Sequence, residues 1–376
     1  MFSSLRKLAK KLQGNNNPWA ETKPAAPAPE PHLPQREVRV NRVVRETADA
    51  IAIYLEELSG GPPSFLPGQF LNLRVELNGE TLWRSYSICT APHEGELAVA
   101  VKRVADGRVS TYLNQNVTAG QTLTVRGPSG QFVLPEPTVG QLTLIGGGSG
   151  ITPLISQAKH VLRTQPDTRV ALIYGNRGEA DIIFRQQLTQ LTAEYPQRFV
   201  LRHVLSDGTG ELSCTRGLLD EATVRDELEA LAVDHGHGSA TMVCGPEPMM
   251  VAARAALLAM GVQASTIREE RFVAPASRAV VSDGKGPYEV SVTIEGKVST
   301  FQVPNNETIL EAALNAQIPL DFSCGVGACG TCMSRLIEGD VQMMEPNFLT
   351  PADRAQKMVL PCIANAKSPC KLEKVS

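Results

Sequence analysis

Between residues 38 and 126 the chain carries six short runs rich in Val, Ile, Leu and Phe, at 38–44, 50–56, 70–75, 85–89, 97–104 and 122–126. Turn residues part them: Asn78-Gly79, Gly95, Asp106-Gly107 and Ala119-Gly120. Many short strands punctuated by glycine predict an antiparallel barrel or sandwich. From about residue 137 the rhythm changes. Apolar runs at 141–145, 170–174, 199–205 and 241–244 alternate with stretches of helical spacing at 153–163, 182–195 and 248–260. In the first of these stretches Leu154, Ile155, Ala158, Val161 and Leu162 share a face. Buried strands alternating with helices predict a parallel sheet covered on both sides. A third rhythm follows residue 287. Runs at 288–294 and 298–303 flank Glu295-Gly296 as a hairpin, 307–317 is an amphipathic helix with Ile309, Leu310, Ala313 and Leu314 inward, and 331–337 is a strand.

The fold class is therefore multidomain: an antiparallel β-barrel at 36–136, an α/β domain with a parallel sheet at 137–274, and a small mixed domain at 287–376. Residues 275–286, rich in small and turn residues, read as a linker. The 376-residue length agrees, being too great for one ordinary core. Ahead of the barrel lie a basic amphipathic arm at 1–13 and a proline-rich linker at 14–35. In the arm Phe2, Leu5, Leu8, Ala9 and Leu12 fall at helical spacing, with Arg6, Lys7, Lys10 and Lys11 on the other face. Such a helix can lie on an anionic membrane or dock on an acidic partner, and a frayed solvated tail has the same composition. The linker's prolines make it a stiff spacer without a core.

Charge narrows the function classes. A net charge of −3 gives no footing for nucleic acid. No apolar run approaches the length of a membrane span, and the start lacks the apolar core of a signal peptide. Cys89, Cys214, Cys244 and Cys370 are scattered and suggest no disulfide framework, which fits a reducing cytoplasm. The expected location is cytoplasmic, with contact to a membrane surface through the arm as an option, and the expected state is a monomer.

The remaining four cysteines carry the sharpest signal. Cys324-Gly325-Val326-Gly327-Ala328-Cys329-Gly330-Thr331-Cys332 crowds three thiols into one loop, with four residues and then two between them. Cys362 follows after 29 more residues. This is the plant-type spacing for a [2Fe–2S] cluster, in which each iron takes two thiolates. The glycines let the backbone wrap the inorganic sulfides. Zinc also takes four cysteines, but usually as two paired knuckles rather than a triplet and a singleton. A disulfide pair within so crowded a loop would be a poor bridge.

Other motifs sit on the predicted elements. Arg84-Ser85-Tyr86-Ser87 alternates along a strand, so Arg84 and Tyr86 share a face and Ser87 points opposite. Arginine can fork onto phosphate and tyrosine can stack on a flat ring. Asp106-Gly107-Arg108-Val109-Ser110-Thr111 can turn tightly and open a helix, whose N-terminus favours phosphate. Gly146-Gly147-Gly148-Ser149-Gly150-Ile151-Thr152-Pro153 joins a strand to a helix, an arrangement that admits dinucleotide phosphates though it is not the G-x-G-x-x-G fingerprint. Two more strand ends matter, because ligands bind beyond the carboxyl ends of parallel strands. They are Tyr174-Gly175-Asn176-Arg177 and Cys244-Gly245-Pro246-Glu247-Pro248-Met249. His235-Gly236-His237-Gly238 reads as a surface turn rather than a metal site.

With these motifs quoted, the first two domains resemble the ferredoxin–NADP reductase superfamily and the third resembles plant-type ferredoxins of the β-grasp fold. The resemblance covers about nine-tenths of the chain. It implies that Arg84 contacts the pyrophosphate of a flavin, that Tyr86 stacks beside the isoalloxazine, and that Ser85 and Ser87 belong to the same R-x-Y-S run, with Ser87 bonding the flavin. By the same resemblance the backbone of Val101 and Lys102 lines the flavin, and Gly107, Val109, Ser110 and Thr111 bind the pyrophosphate. Relatives use FAD or FMN; an intact phosphate turn favours FAD. Gly147, Gly148, Ser149, Gly150, Gly245, Pro246 and Met249 would border the nicotinamide dinucleotide. Thr152 would touch flavin and nicotinamide together, Cys244 would sit where the nicotinamide enters, and Phe272, with Glu270, would flank the flavin ring. Asn176 and Arg177 would face the adenosine ribose. Arg177 could pair with a 2′-phosphate and favour NADPH, with NADH left open.

The implied function is electron transfer from NAD(P)H to FAD, then to [2Fe–2S], then to an oxygenase, hydroxylase or desaturase. Flavin stands in the middle because nicotinamide gives two electrons together and the cluster accepts one. Plant-type clusters sit near roughly −400 mV, low enough to reduce an oxygen-activating metal centre. The domain order is most similar to reductase components of multicomponent oxygenases, the phenylacetyl-CoA epoxidase type especially. The basic arm departs from the simplest relatives and raises a membrane-bound fatty-acyl desaturase or alkyl hydroxylase as acceptor. An iron–sulfur redox sensor and a zinc-stabilised binding module are the readings from other classes.

Overall fold

A computed structural model describes residues 35–135, 140–207, 210–233, 239–272, 286–305, 307–322, 324–345 and 347–375. The arm at 1–13, the proline-rich linker up to 34, the 235–238 histidine loop and the 275–286 linker up to 285 lie outside the described residues.

The β-rich N-terminal runs pair as six antiparallel strands. They are β1 (Arg36–Thr47), β2 (Ala50–Glu57), β3 (Phe70–Leu77), β4 (Glu80–Ser87), β5 (Leu97–Lys102) and β6 (Thr122–Ser129), ordered β4-β3-β6-β1-β2-β5. An antiparallel bridge between Ile88 and Val99 joins the two ends of that order and closes the sheet into a barrel. Strand β4 starts five residues before the expected 85–89 run. Asn78 and Gly79, both at positive φ, form a two-residue hairpin turn that sets Leu77 opposite Glu80. Inward residues such as Val38, Val40, Ile51, Ile53, Leu71 and Leu73 fill the barrel, plugged by Leu113 of helix α1 (Arg108–Asn116).

The second domain is a parallel sheet of β7 (Gln141–Gly147), β8 (Arg169–Asn176), β9 (Phe199–Leu205), β10 (Thr215–Arg216), β11 (Ala240–Cys244) and β12 (Ile267–Glu270), ordered β10-β9-β8-β7-β11-β12. Its helices are α2 (Ile151–Thr164), α3 (Arg185–Glu194), α4 (Glu221–Ala230) and α5 (Glu247–Ala259). The chain runs outward from β7 to β10, then crosses back to β11, so the switch point lies between β7 and β11. Helix α3 starts at Arg185, three residues after the predicted 182, because Phe184 takes a left-handed backbone, φ 61°. Helix α4 and strand β12 escape the pattern. Both are strongly polar; α4 buries only Val224, Leu228 and Glu227, and begins where Asp220 accepts from the Thr223 N–H.

Barrel and parallel sheet share one core. Ala50, Ala52, Ala98 and Ala100, on β2 and β5, pack in the same buried cluster as Leu154, Ile155 and Ala158 of α2. Four small side chains let a helix lie close on a strand face. Polar clasps surround the patch: Ser156 Oγ donates to the Thr90 carbonyl at 2.6 Å and Gln157 Nε2 to that of Phe132 at 2.8 Å.

The C-terminal domain has its own core, built from Val290 onward. Strands β13 (Tyr288–Ile294), β14 (Lys297–Val303), β15 (Ser334–Glu338), β17 (Met358–Val359) and β19 (Cys370–Lys374) order as β14-β13-β19-β15-β17, and β16 (Val341–Met343) pairs with β18 (Ala364–Ala366). The first and last long strands, β13 and β19, run parallel, while the other pairs in that sheet are antiparallel. Helix α6 (Ile309–Asn315) crosses this sheet, capped by Thr308 and Glu311 in a reciprocal pair. A one-turn-and-a-half helix α7 (Pro351–Ala355) precedes β17. The predicted strand at 331–337 begins only at Ser334, since Thr331 to Met333 complete the cysteine turn.

Candidate functional site

Strand alternation fixes the barrel's contribution. Ser85 Oγ donates to Asn72 Oδ1 at 2.7 Å, inside the sheet. Ser87 Oγ donates to Glu270 Oε2 at 3.2 Å, leaving the barrel altogether. Arg84 and Tyr86 lie on the other face. Arg84 is half-buried, and desolvation lowers its pKa without threatening its charge. Burial raises the Tyr86 phenol, which stays neutral. After β5 the Gly107 turn opens α1. Ser110 Oγ accepts from Val104 N at 3.1 Å and donates to the Gly107 carbonyl, while the Thr111 N–H bonds the same carbonyl. Val109 is buried. The side chains of Val109 and Ser110 thus hold the turn from within, and its offer to an anion is the unpaired N–H groups that any helix N-terminus carries. A Cβ on Gly107 would lie 2.6 Å from Ser110 Oγ, so a larger residue there would displace the hydroxyl that holds the turn.

The parallel sheet contributes three strand ends in register. Gly146, Cys244 and Glu270 lie side by side on β7, β11 and β12. Gly150 would place a Cβ 2.0 Å from the Cys244 carbonyl oxygen, and Gly147 would place one 2.7 Å from Met249 Sδ and 2.8 Å from Pro246. The glycine run and the Cys244–Met249 turn are therefore interleaved. These two glycines serve that close approach, whatever they also offer a phosphate. Thr152 Oγ1 donates to the Ser149 carbonyl at 3.0 Å and the Tyr174 hydroxyl to that of Gly148 at 2.8 Å. Both hold loop carbonyls in place. Lys102, across the barrel, lies 3.8 Å from where a Gly148 Cβ would stand.

Burial sets the electrostatics at the junction. The Cys244 thiol is fully buried, and desolvation, aided by the charge of Glu270, pushes its pKa far up, so it is a neutral thiol. Desolvation pushes Glu270 up to about 8, against the lowering effect of Ser87. A carboxyl raised this way contributes stability that is complete below its ordinary 4.5 and is lost as the pH climbs through about 8. The melting temperature is expected to fall across that window. Glu270→Gln, neutral at every pH, should flatten the fall; an unchanged pH dependence in that variant would remove Glu270 as its source. Beyond Glu270, Arg271 pairs with Glu247 at 3.5 Å and Phe272 is half exposed.

At the far side of the switch point, β8 and β9 end together: Ser206 N donates to the Asn176 carbonyl and Asp207 N to that of Arg177. The Asn176 amide is buried and lies against the Tyr174 hydroxyl, which it hydrogen-bonds. An amide beside a strand end, with both donor and acceptor capacity, fits a ligand rich in hydroxyls. Arg177 pairs with Asp181, four residues on, and with Asp49 of the barrel at 3.5 Å. Asp49 also faces Lys102 at 3.9 Å. Nothing in the sequence marked Asp49, since it sits in an ordinary turn between β1 and β2; nor did anything foretell the Ser87–Glu270 contact, whose partners are 183 residues apart.

The four cluster cysteines converge. Cys332 Sγ and Cys362 Sγ lie 3.3 Å apart, far beyond a disulfide bond. Hydrogen bonds from Cys329 and Cys362 hold the Cys324 thiol well below its usual range, and the same bonds, with burial, push Cys329 and Cys362 up. Cys324 Sγ also accepts from Ala328 N at 3.2 Å and Val326 N at 3.5 Å. The four thiols form one connected group, Cys324 meeting both Cys329 and Cys362 and Cys362 meeting Cys332, with backbone N–H groups aimed at the Cys324 sulfur. That donor set fits a two-iron cluster. Gly325, Gly327 and Gly330 all take positive φ, and a Cβ on Gly327 would strike Ile363 at 2.6 Å. Lys374 Nζ donates to the Thr331 carbonyl at 2.9 Å, tying the loop to the last strand.

Comparison with known proteins agrees with this layout. Three family models match in order: an oxidoreductase FAD-binding domain at residues 58–134, an oxidoreductase NAD-binding domain at 144–255 and a 2Fe-2S iron-sulfur cluster binding domain at 292–367. The chain is 35% identical to a component chain of the 1,2-phenylacetyl-CoA epoxidase of Escherichia coli (strain K12), over 86% of this chain and 93% of that protein. It is 34% identical to the ferredoxin reductase component of 3-ketosteroid-9-alpha-monooxygenase of Mycolicibacterium smegmatis, over 88% and 94%. Among solved structures, phthalate dioxygenase reductase superposes with a TM-score of 0.58 at 23% identity, covering 91% of this chain and 98% of that one, a likeness of fold.

Proposed function

Because the chain belongs to the family of oxygenase reductases that join an FAD-binding, an NAD-binding and a 2Fe-2S domain in one polypeptide, we propose that its strand ends and cysteine loop divide the work of that reaction as follows. When bound, FAD takes hydride from NAD(P)H and yields electrons singly to the [2Fe–2S] cluster, which passes them to an oxygenase. Every other role falls to the protein's own groups. Arg84 and the N-terminus of α1 neutralise the flavin pyrophosphate, and Tyr86 stacks beside the ring. The carbonyls held by Thr152 and Tyr174 keep the 148–150 loop open to the dinucleotide. Cys244, buried and uncharged, excludes water where the nicotinamide arrives. Glu270, protonated below about pH 8, accepts a hydrogen bond from Ser87 without adding charge beside the flavin. Phe272 supplies an exposed aromatic face at the edge of that space.

The observation that carries this reading is the Ser87–Glu270 contact. It sets the R-x-Y-S strand against the carboxyl ends of β11 and β12, where two flat rings would have to meet. The acceptor is an oxygenase, hydroxylase or desaturase that docks on the cysteine loop, whose residues from Gly325 to Thr331 include no Asp, Glu, Lys or Arg. The arm at 1–13 adds a second contact, to that partner or to a membrane surface, and the protein acts as a monomer. Among the described residues no helix is long and apolar enough to cross a membrane.

The purified protein should show a flavin absorbance peak with a broad red shoulder, and anaerobic NADH or NADPH should bleach both. A colourless preparation with zinc, or a flavin that ignores both nucleotides, would overturn the reading.

A further inference from the structure

Resting on the reductase reading, we infer that the carboxylates around Arg177 select NADH over NADPH, the opposite of what an arginine at this position suggests in isolation. A dinucleotide lying across the carboxyl ends of the strands has its nicotinamide at the β7–β11 switch point and its adenosine half toward β8 and β9. Arg177, at the end of β8, is therefore the cation nearest the ribose. Its guanidinium is already shared between Asp181, on the following turn, and Asp49, on the barrel. Asp207 closes the third side: a Cβ on Gly178 would stand 2.3 Å from its Oδ2, and its N–H bonds the Arg177 carbonyl. Arg185, the next cation along the chain, is paired with Glu179.

The charge count decides the preference. Three carboxylates, Asp49, Asp181 and Asp207, face two cations, Arg177 and Lys102. A 2′-phosphate would enter a cage that is already negative and compete for an arginine already held. Like charges so placed oppose binding strongly. An unphosphorylated ribose meets no such opposition, because carboxylates accept from its hydroxyls.

The test is reduction of the holoenzyme's flavin by each nucleotide, followed with ferricyanide as acceptor. Wild type should show kcat/KM for NADH about 100-fold or more above that for NADPH. Asp181→Asn, and Asp181→Asn with Asp207→Asn, should raise the NADPH-to-NADH ratio by about tenfold or more, chiefly through KM for NADPH, since they free the guanidinium for phosphate. Equal or better use of NADPH by wild type overturns the inference and leaves the reductase reading standing. So does an unmoved ratio in variants that keep the wild-type flavin spectrum. Failure of both nucleotides to reduce the flavin overturns the reductase reading itself, and the inference with it.

Discussion

Cys329→Ala should leave NAD(P)H-driven ferricyanide reduction close to wild type while delivery to a one-electron protein acceptor such as cytochrome c collapses. Ferricyanide can draw electrons from the flavin directly, whereas a protein acceptor is served through the cluster. Altering an outer-shell partner of a metal ligand typically costs about 10–100-fold, so losing a ligand should cost at least the upper end of that range. The damage should also stay local. The C-terminal domain has a separate hydrophobic core, so loss of its cluster does not unpack the barrel or the parallel sheet. Iron analysis, the red shoulder and the two acceptor rates, measured on one preparation, form the check. Undiminished cytochrome c reduction by an iron-depleted variant would break the proposed order of carriers.

Gly150→Val has the second large expected effect, and it is a backbone effect. Its Cβ would lie 2.0 Å from the Cys244 carbonyl oxygen and 2.4 Å from the carbonyl carbon, atoms fixed by the ladder between β7 and β11. Neither can move without opening that pairing. Overpacking of this kind costs about 1–3 kcal/mol or more. The relief available is a shift of the 148–150 loop away from Cys244, which would also misplace the nicotinamide. A melting temperature lower by several degrees and a raised KM for the nucleotide are both expected. Gly148→Asn is the contrast. Its φ of 53° suits asparagine, and the nearest group to its Cβ is the flexible end of Lys102 at 3.8 Å, so stability should change little. If the two variants melt alike, steric contact with Cys244 is not what fixes glycine at position 150.

Comparison of elements explains where the reading of the chain stopped short. Helix α2 was legible because one face is wholly apolar over four turns. Helix α4 and strand β12 were not, because each is polar enough to pass for loop and owes its structure to neighbours: the former to a cap and three buried residues, the latter to pairing with β11. Glu270 was named, but its raised pKa was not foreseeable. That shift arises from burial beside Cys244 and outweighs the lowering effect of the Ser87 hydroxyl, which the chain delivers from the barrel. Arg177 changes meaning for the same reason. A lone arginine reads as a phosphate ligand; only the fold brings Asp49 to it from 128 positions earlier, the difference between 177 and 49.

What the residues by themselves determined is what depends on local chemistry. The cysteine spacing, the glycine turns and the change of hydrophobic rhythm follow from backbone geometry and side-chain period, which act over a few residues. They fix three domains, their order and the [2Fe–2S] carrier of the last; the flavin and the nicotinamide follow from the resemblance to a known family. What tertiary structure decided is everything that depends on two distant segments sharing one small volume: a carboxyl of raised pKa where barrel and parallel sheet meet, a glycine held against a neighbouring strand's carbonyl, and a cation already claimed by carboxylates. Desolvation and Coulomb interaction between such segments have no signature in sequence, because their strength depends on separation in space rather than along the chain.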